Sequence, residues 1–195
     1  MGPVRNKKTF HHGDLRRAAI IAAYDLILEH GEEALKLRAI ASKCDVDHTA
    51  LYRHFNNKDA LAYEVVVVGF QHLNDVLSKP EELSFGDLLM RYARFALERR
   101  NLYEAMFSQK TQTSFDERSL AAEIDKLTHR AAAILEPRLE GKRKIPTDVR
   151  DRVIEGWALA HGLIDLLNRG MLSFDNEDQA RAFLSSRLKR AGNRI

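Results

Sequence analysis

Residues 36–58 read KLRAIASKCDVDHTALYRHFNNK, two short helical patterns separated by four residues that break the period. Leu37, Ile40 and Ala41 give the first pattern an apolar side at helical spacing. Cys44 to Asp47 interrupt it. Asp45 falls where a tight turn needs a left-handed backbone, a conformation Asp tolerates better than most non-glycine residues. Val46 is expected to plug the turn. Asp47 is placed to cap the next helix by accepting from its free first-turn amides. That helix, predicted over His48 to Phe55, turns Leu51 and Phe55 inward as an i, i+4 pair and leaves His48, Thr49, Tyr52, Arg53 and His54 outside. So short a helix does not survive alone in water, and its outer side mixes hydrogen-bonding groups with an aromatic ring and a cation. The pattern is that of a helix-turn-helix, whose second helix enters the major groove of DNA.

Working outward, HGDLRRAAIIAAYDLILEHG followed by LRAIASKCDVDHTALYRHFNNKDAL resembles the N-terminal DNA-binding region of the TetR family of bacterial repressors, over roughly residues 10–65. The segment ALYRHF, followed by Lys58 and Ala60-Leu61, is the most specific part of the resemblance. It departs from the family pattern twice: Asp45 stands where the family has glycine, and Asp47 where it has a small capping residue. Both add negative charge on the side expected to face DNA, which weakens binding or shifts its specificity.

The chain as a whole is ordinary for a globular protein: 195 residues, 45% hydrophobic and 30% charged. No apolar run approaches the ~18 residues of a membrane span. Arg5, Lys7 and Lys8 are not followed by an apolar stretch, so no secretion signal is read, and the lone Cys44 suits a reducing cytoplasm. Net charge is +3, yet residues 1–17 alone carry +4. Beside a helix-turn-helix, such a basic arm is drawn to phosphates or a narrow minor groove, and Arg5, Lys7 and Lys8 are candidate contacts. The plainer reading is a solvated leader.

Helical periodicity recurs from residue 13 onward with almost no strand signal, so the fold expected is all-α. It comprises an N-terminal arm and three-helix DNA-binding domain over residues 1–58, then a helical ligand-binding and dimerisation domain over 59–195. The first helix should run from Gly13 to His30 and bury Leu15, Ala18, Ala19, Ala22, Leu26 and Ile27, with Gly31 as a left-handed stop. Asn57 should cap a long fourth helix despite the strand-like run Val65 to Val68, and Pro80 should break the chain after it. In the body, helices are predicted over Phe85–Arg100, Phe115–Leu139 with Pro137 ending or kinking it, Thr147–Gly170 and Glu177–Ala191. The short piece NLYEAMF (101–107) and the polar loop SQKTQTS (108–114) lie between the first two. Thr147–Gly170 is apolar on several sides, through Val153, Trp157, Ala160, Ile164, Leu167 and Met171 and through Leu159, Leu163 and Leu166. With the last helix it can supply a two-fold seam in a homodimer, although a monomer core explains the same stripes.

Atom types set the expected roles at the DNA. His48, Thr49 and Arg53 can reach base edges, Arg suiting guanine and the Thr methyl suiting thymine. Tyr52, His54 and Lys58 are better phosphate ligands, joined by Arg38 at the start of the preceding helix. The family resemblance implies DNA contact for Thr49, Tyr52, His54 and Lys58. Against this, Tyr52 could pack in the domain and His54 merely cap it. In the body, EGWALAHGLIDLL and LYEAMF resemble the regulatory domain of a TetR subgroup named for its Trp-His-Gly pattern, carried here by Trp157, His161 and Gly162. His161 with Asp165 either meets a ligand's polar group or forms a self-satisfied buried pair, the second being the default. Tyr92, Tyr103, Met106 and Phe107 are candidate walls of a pocket that also includes Trp157, with ordinary core as the default.

No HExxH, CxxC, phosphate loop or nucleophile elbow occurs, and His11-His12 lacks further ligands at metal spacing, so no catalytic residue, metal or cofactor is expected. The reading is a ligand-responsive repressor that binds double-stranded operator DNA as a homodimer and is released by a small-molecule effector. The alternatives are an architectural DNA-binding protein, against which the size of the body argues, and a ligand-sensing or scaffold protein with impaired DNA binding.

Overall fold

The computed structural model of the chain describes residues 15–78, 83–108 and 117–194. The arm with Arg5, Lys7 and Lys8, the break at Pro80, loop residues 109–114 and the helix starts expected at Gly13 and Phe115 lie outside the described residues. Among the described residues there are nine α-helices and no strand, so the all-α reading holds.

α1 (Leu15–His30) ends at Gly31, whose φ of 80° places it in the left-handed region and whose N–H bonds Ile27 O at 2.8 Å. α1 buries Leu15, Ala19, Ala23, Leu26 and Ile27, while Ala18 and Ala22 are only half-buried at its flank. α2 (Leu37–Lys43) and α3 (His48–Leu51) follow, separated by a turn in which Asp45 adopts φ 53°. Cys44 rather than Val46 is the residue fully buried at this turn, Val46 remaining half-exposed. Regular α-helix ends at Leu51, four residues earlier than the periodicity predicts. The coil carries on to Phe55 through tighter bonds, such as His54 N–H to Leu51 O at 2.9 Å.

α4 (Lys58–Leu77) begins where Asn57 Oδ1 accepts from Ala60 N–H at 2.8 Å, and runs unbroken through Val65 to Val68. Tertiary packing overrides local strand preference here: Val65, Val66 and Val67 are all buried. α5 (Phe85–Glu98) opens with a reciprocal Ser84–Asp87 capping box, and the chain bends at Arg99 into α6 (Arg100–Met106). α7 (Glu117–Leu135) stops just short of Pro137, so the proline ends the helix rather than kinking it. α8 (Thr147–Asn168) and α9 (Glu177–Gly192) complete the chain.

One apolar core runs from Leu15 in α1 to Leu188 in α9. α4 is common to both ends of it, packing on α1 near its start and on α5, α6 and α7 further along. α8 packs on α5 and α7, while α9 lies along α5 so closely that a Cβ on Gly192 would stand 2.7 Å from Gly86 Cα. Backbone meets backbone there and no side chain can yield. Gly192→Ala should therefore lower the unfolding free energy by about 1–3 kcal/mol, read from urea denaturation. A midpoint equal to wild type would show that α5 and α9 are not in backbone contact.

Candidate functional site

Residues 48–55 are built on a buried back. Leu51 and Phe55 are sealed into the core, which turns the opposite side of residues 48–55 to solvent: Tyr52 is 54% exposed, and Thr49 and Arg53 are exposed with it. His48, His54 and Lys58 are half-buried, and Arg38 is exposed in the first turn of α2. Tyr52 is thus not a packing residue. Its ring meets His48 edge-on with centroids 6.5 Å apart, while His54 leans on Phe55 at the same distance.

Asp47 accepts from Thr49 N–H at 2.8 Å and from Thr49 Oγ1–H at 2.6 Å. These two bonds hold its carboxyl below the usual carboxylate range. They also commit the Thr49 hydroxyl proton, leaving Thr49 its methyl and lone pairs for an outside partner. Arg16 in α1 is a support that the sequence reading missed. Its guanidinium lies 5.3 Å over the Phe55 ring and Nη2 meets Glu64 Oε1 at 2.6 Å, tying α1, residues 48–55 and α4 together.

Two further polar contacts tie α1 to α4 and α6. Tyr24 O–H reaches His72 Nδ1 at 2.6 Å, and the His72 ring stands edge-on to Phe95 in α5 at 5.5 Å. Asn101 in α6 donates to Leu28 O, near the end of α1, at 3.2 Å. Burial pushes the Tyr24 hydroxyl up and His72 down.

The body holds a cavity of about 470 Å³ between α4, α5, α7 and α8, within the usual range for small-molecule sites. Of the seven residues singled out from sequence, Tyr92, Phe107 and Trp157 line it. Tyr103 and His161 stand behind Tyr92. Trp157 Nε1–H donates to Tyr92 OH at 3.0 Å, the two tyrosine hydroxyls lie 2.9 Å apart, and His161 Nδ1 is 2.6 Å from Tyr103 OH and 3.1 Å from Tyr92 OH. The arrangement orders itself if Trp157 donates to Tyr92, Tyr92 to Tyr103, and Tyr103 to a neutral His161 whose proton sits on Nε2. Burial raises Tyr92 to about 12, raises Tyr103 and lowers His161.

Two of the seven go elsewhere. Met106 is buried against α4 at Gly69. Asp165 does not partner His161: both its oxygens take Arg169 Nε at 2.8 Å, because a guanidinium one turn along outcompetes a neutral imidazole for a carboxylate. Arg150, Thr128 and Asp125 line the cavity and were not singled out. Arg150 could have been found from its spacing, since 150, 153, 154 and 157 share one side of α8. Among the described residues no cluster of three metal-type ligands occurs, and no helix is long and apolar enough to cross a membrane.

The comparisons with known proteins agree with this geometry. Residues 20–65 match the family model described as bacterial regulatory proteins, tetR family, and residues 86–186 match the tetracyclin repressor-like C-terminal domain. A protein of unknown function from Rhodococcus sp. RHA1 is 27% identical over 94% of this chain and 98% of its own, with a TM-score of 0.70. A TetR transcriptional regulator from the same organism is 20% identical over 92% and 94%, with a TM-score of 0.61. NalD, the secondary repressor of the MexAB-OprM multidrug efflux pump in Pseudomonas aeruginosa, is 22% identical over 92% and 95%, with a TM-score of 0.55. No curated protein matches the chain.

Both His72 and His161 are held below the ordinary histidine value of 6.5, chiefly by burial. The unfolded chain therefore binds more protons than the folded one below about 6.5, and stability falls as pH falls through that window. Urea midpoints should drop between pH about 7.5 and about 5.5, and less so in His161→Gln. A midpoint that rises on acidification would contradict the neutral-histidine arrangement.

Proposed function

Because the chain belongs to the TetR family of transcriptional regulators, a family of regulators rather than enzymes, we propose that it is a ligand-responsive repressor. In this reading a cytoplasmic homodimer binds double-stranded operator DNA and a small-molecule effector releases it. The observation that carries the proposal is the polar outer side of residues 48–55, exposed on a base sealed by Leu51 and Phe55. We divide the chain into a reading head, residues 1–58, and a regulatory body, residues 59–195, α4 beginning at that boundary. His48, Thr49 and Arg53 face base edges, with Arg53 suited to guanine. Tyr52, His54, Lys58 and Arg38 meet phosphates, Lys58 beside the free amides of the α4 N-terminus, and Arg5, Lys7 and Lys8 extend the contact.

Dimerisation is supported by what α8 leaves uncovered. Leu159 is 38% exposed on the side that carries Gly162 and Leu163, and beside it α9 presents Phe183 and Arg187. A Cβ on Gly162 would meet nothing within 4 Å in the single chain, room that a second helix can use. The same α8 carries Trp157, His161 and Gly162, which support placing the body with the Trp-His-Gly subgroup.

Release follows from the shared elements. An effector in the cavity touches α4 through Phe70 and Leu73, and touches α5 through Tyr92, whose hydroxyl is tied to Tyr103 on α6. α6 holds the end of α1 through Asn101. An effector that prefers a different spacing of these helices lowers DNA affinity by its difference in affinity for the two arrangements. The rival reading, a sensor or scaffold with impaired DNA binding, draws on the exposed charge of Asp45 and Asp47.

Selection of bound fragments from random or genomic duplex DNA separates the two: an enriched paired half-site supports the repressor, and no enrichment at low salt supports the sensor. Tyr52→Ala and Lys58→Ala should weaken binding to every sequence, Lys58→Ala also reducing the salt slope by about one unit. Arg53→Ala should cost ~1–3 kcal/mol at particular bases only; an equal loss on all sequences removes it from base reading. Leu159→Glu should convert dimers to monomers in sedimentation and lose paired-site affinity, and a wild-type protein that sediments as a monomer at operator-binding concentrations would overturn the dimer.

A further inference from the structure

The polar groups that line the cavity are few. Tyr92 OH is surrounded by Trp157, Tyr103 and His161, and Trp157 Nε1–H is spent on Tyr92. Thr128 Oγ1–H donates to Ile124 O at 2.9 Å in its own helix. The exposed Asp125 carboxylate stands 3.3 Å from His129 Nδ1, a nitrogen whose hydrogen bond goes to the Asp125 backbone O at 3.0 Å. Arg150, an exposed residue, is the cation of this set, and its side chain makes no hydrogen bond or ion pair among the described residues although it lines the same space. The rest of the wall is hydrocarbon and aromatic, with Phe70, Phe85, Leu88, Leu89 and Phe107 prominent.

A ligand in this space therefore finds its hydrogen-bond donors committed everywhere but at one guanidinium. A many-hydroxyl molecule would lose its water without replacement along most of its surface, and a cation would find a single carboxylate, Asp125, already approached by His129. A carboxylate or similar anion can take the planar fork of Arg150 at the rim while its apolar remainder lies against the aromatic wall. Building on the effector reading of the cavity, we propose that the effector is a mostly apolar small molecule bearing one anionic group, bound with that group at Arg150.

Trp157 is the only tryptophan in the chain and lines the cavity, so its emission reports occupancy. The test titrates the full-length protein with decanoate, 1-decanol and decylammonium, each below its aggregation limit. Decanoate should bind at least about fivefold more tightly than decanol, the scale of a partly solvated ion pair. Arg150→Gln should bring decanoate to the affinity of decanol, and Arg150→Lys should keep part of the preference. A preference for decylammonium, or a decanoate preference that survives Arg150→Gln, overturns the anion assignment while the cavity still binds. If no probe alters Trp157 emission, the effector reading of the cavity fails, and this inference fails with it.

Discussion

Residues 48–55 keep their hydrogen-bonding side in water, and a segment so brief has little helical stability of its own. Everything that fixes it has to come from behind and from its ends. Leu51 and Phe55 supply the apolar anchor, Asp47 satisfies the Thr49 amide in the first turn, and Arg16 lies across Phe55 while pairing with Glu64. The segment is therefore placed by α1 and α4 rather than by its own coil. Moving either of those helices moves the reading side chains with it.

That dependence explains which features the sequence could disclose. Contacts between residues close in sequence were legible: the Leu51–Phe55 pair, the left-handed Asp45, the Asp47 cap and the Gly31 stop all rest on local geometry. The four valines of α4 were legible as helix only because their flanks decided the matter. The length of α3 was not, since tightening into shorter-range bonds after Leu51 depends on how Phe55 is drawn into the core. Stripes in the body were legible as stripes, but not for what covers them. Trp157 lies on the apolar pattern of α8 yet is 41% exposed, and Met171 is 71% exposed. The cavity is assembled from four helices and has no local signature. The His161–Asp165 pairing failed because spacing admits two partners for Asp165, and charge, not spacing, chooses Arg169.

α4 is the element in which these two regions meet. Its first turn carries Lys58 beside the reading segment, its middle touches Met106 and Leu102 of α6 through Gly69, and Phe70, Leu73 and Leu77 line the cavity. Gly69 matters here because any side chain would strike Met106, a Cβ lying 2.9 Å from its sulfur. α4 and α6 are thus in close register, and a displacement of one is not absorbed by slack between them.

On the proposed effector reading, the network around Tyr92 decides what kind of displacement the cavity can transmit. With Trp157, Tyr103 and His161 all engaged around two buried tyrosine hydroxyls, a displacement that strips a hydroxyl of its partners costs on the order of 1–3 kcal/mol. Small shifts of α5 against α6 are resisted, and the contact tends to stay whole or to break as a unit. A molecule that merely fills the cavity without disturbing Tyr92 or Trp157 would bind and leave the head where it was. One that wedges Trp157 away from Tyr92 opens the network and frees α6, the helix that grips α1 through Asn101. If the cavity takes an effector as proposed, occupancy and release are separable properties of that ligand, the first set by the apolar wall and the second by whether the tyrosine pair is forced apart.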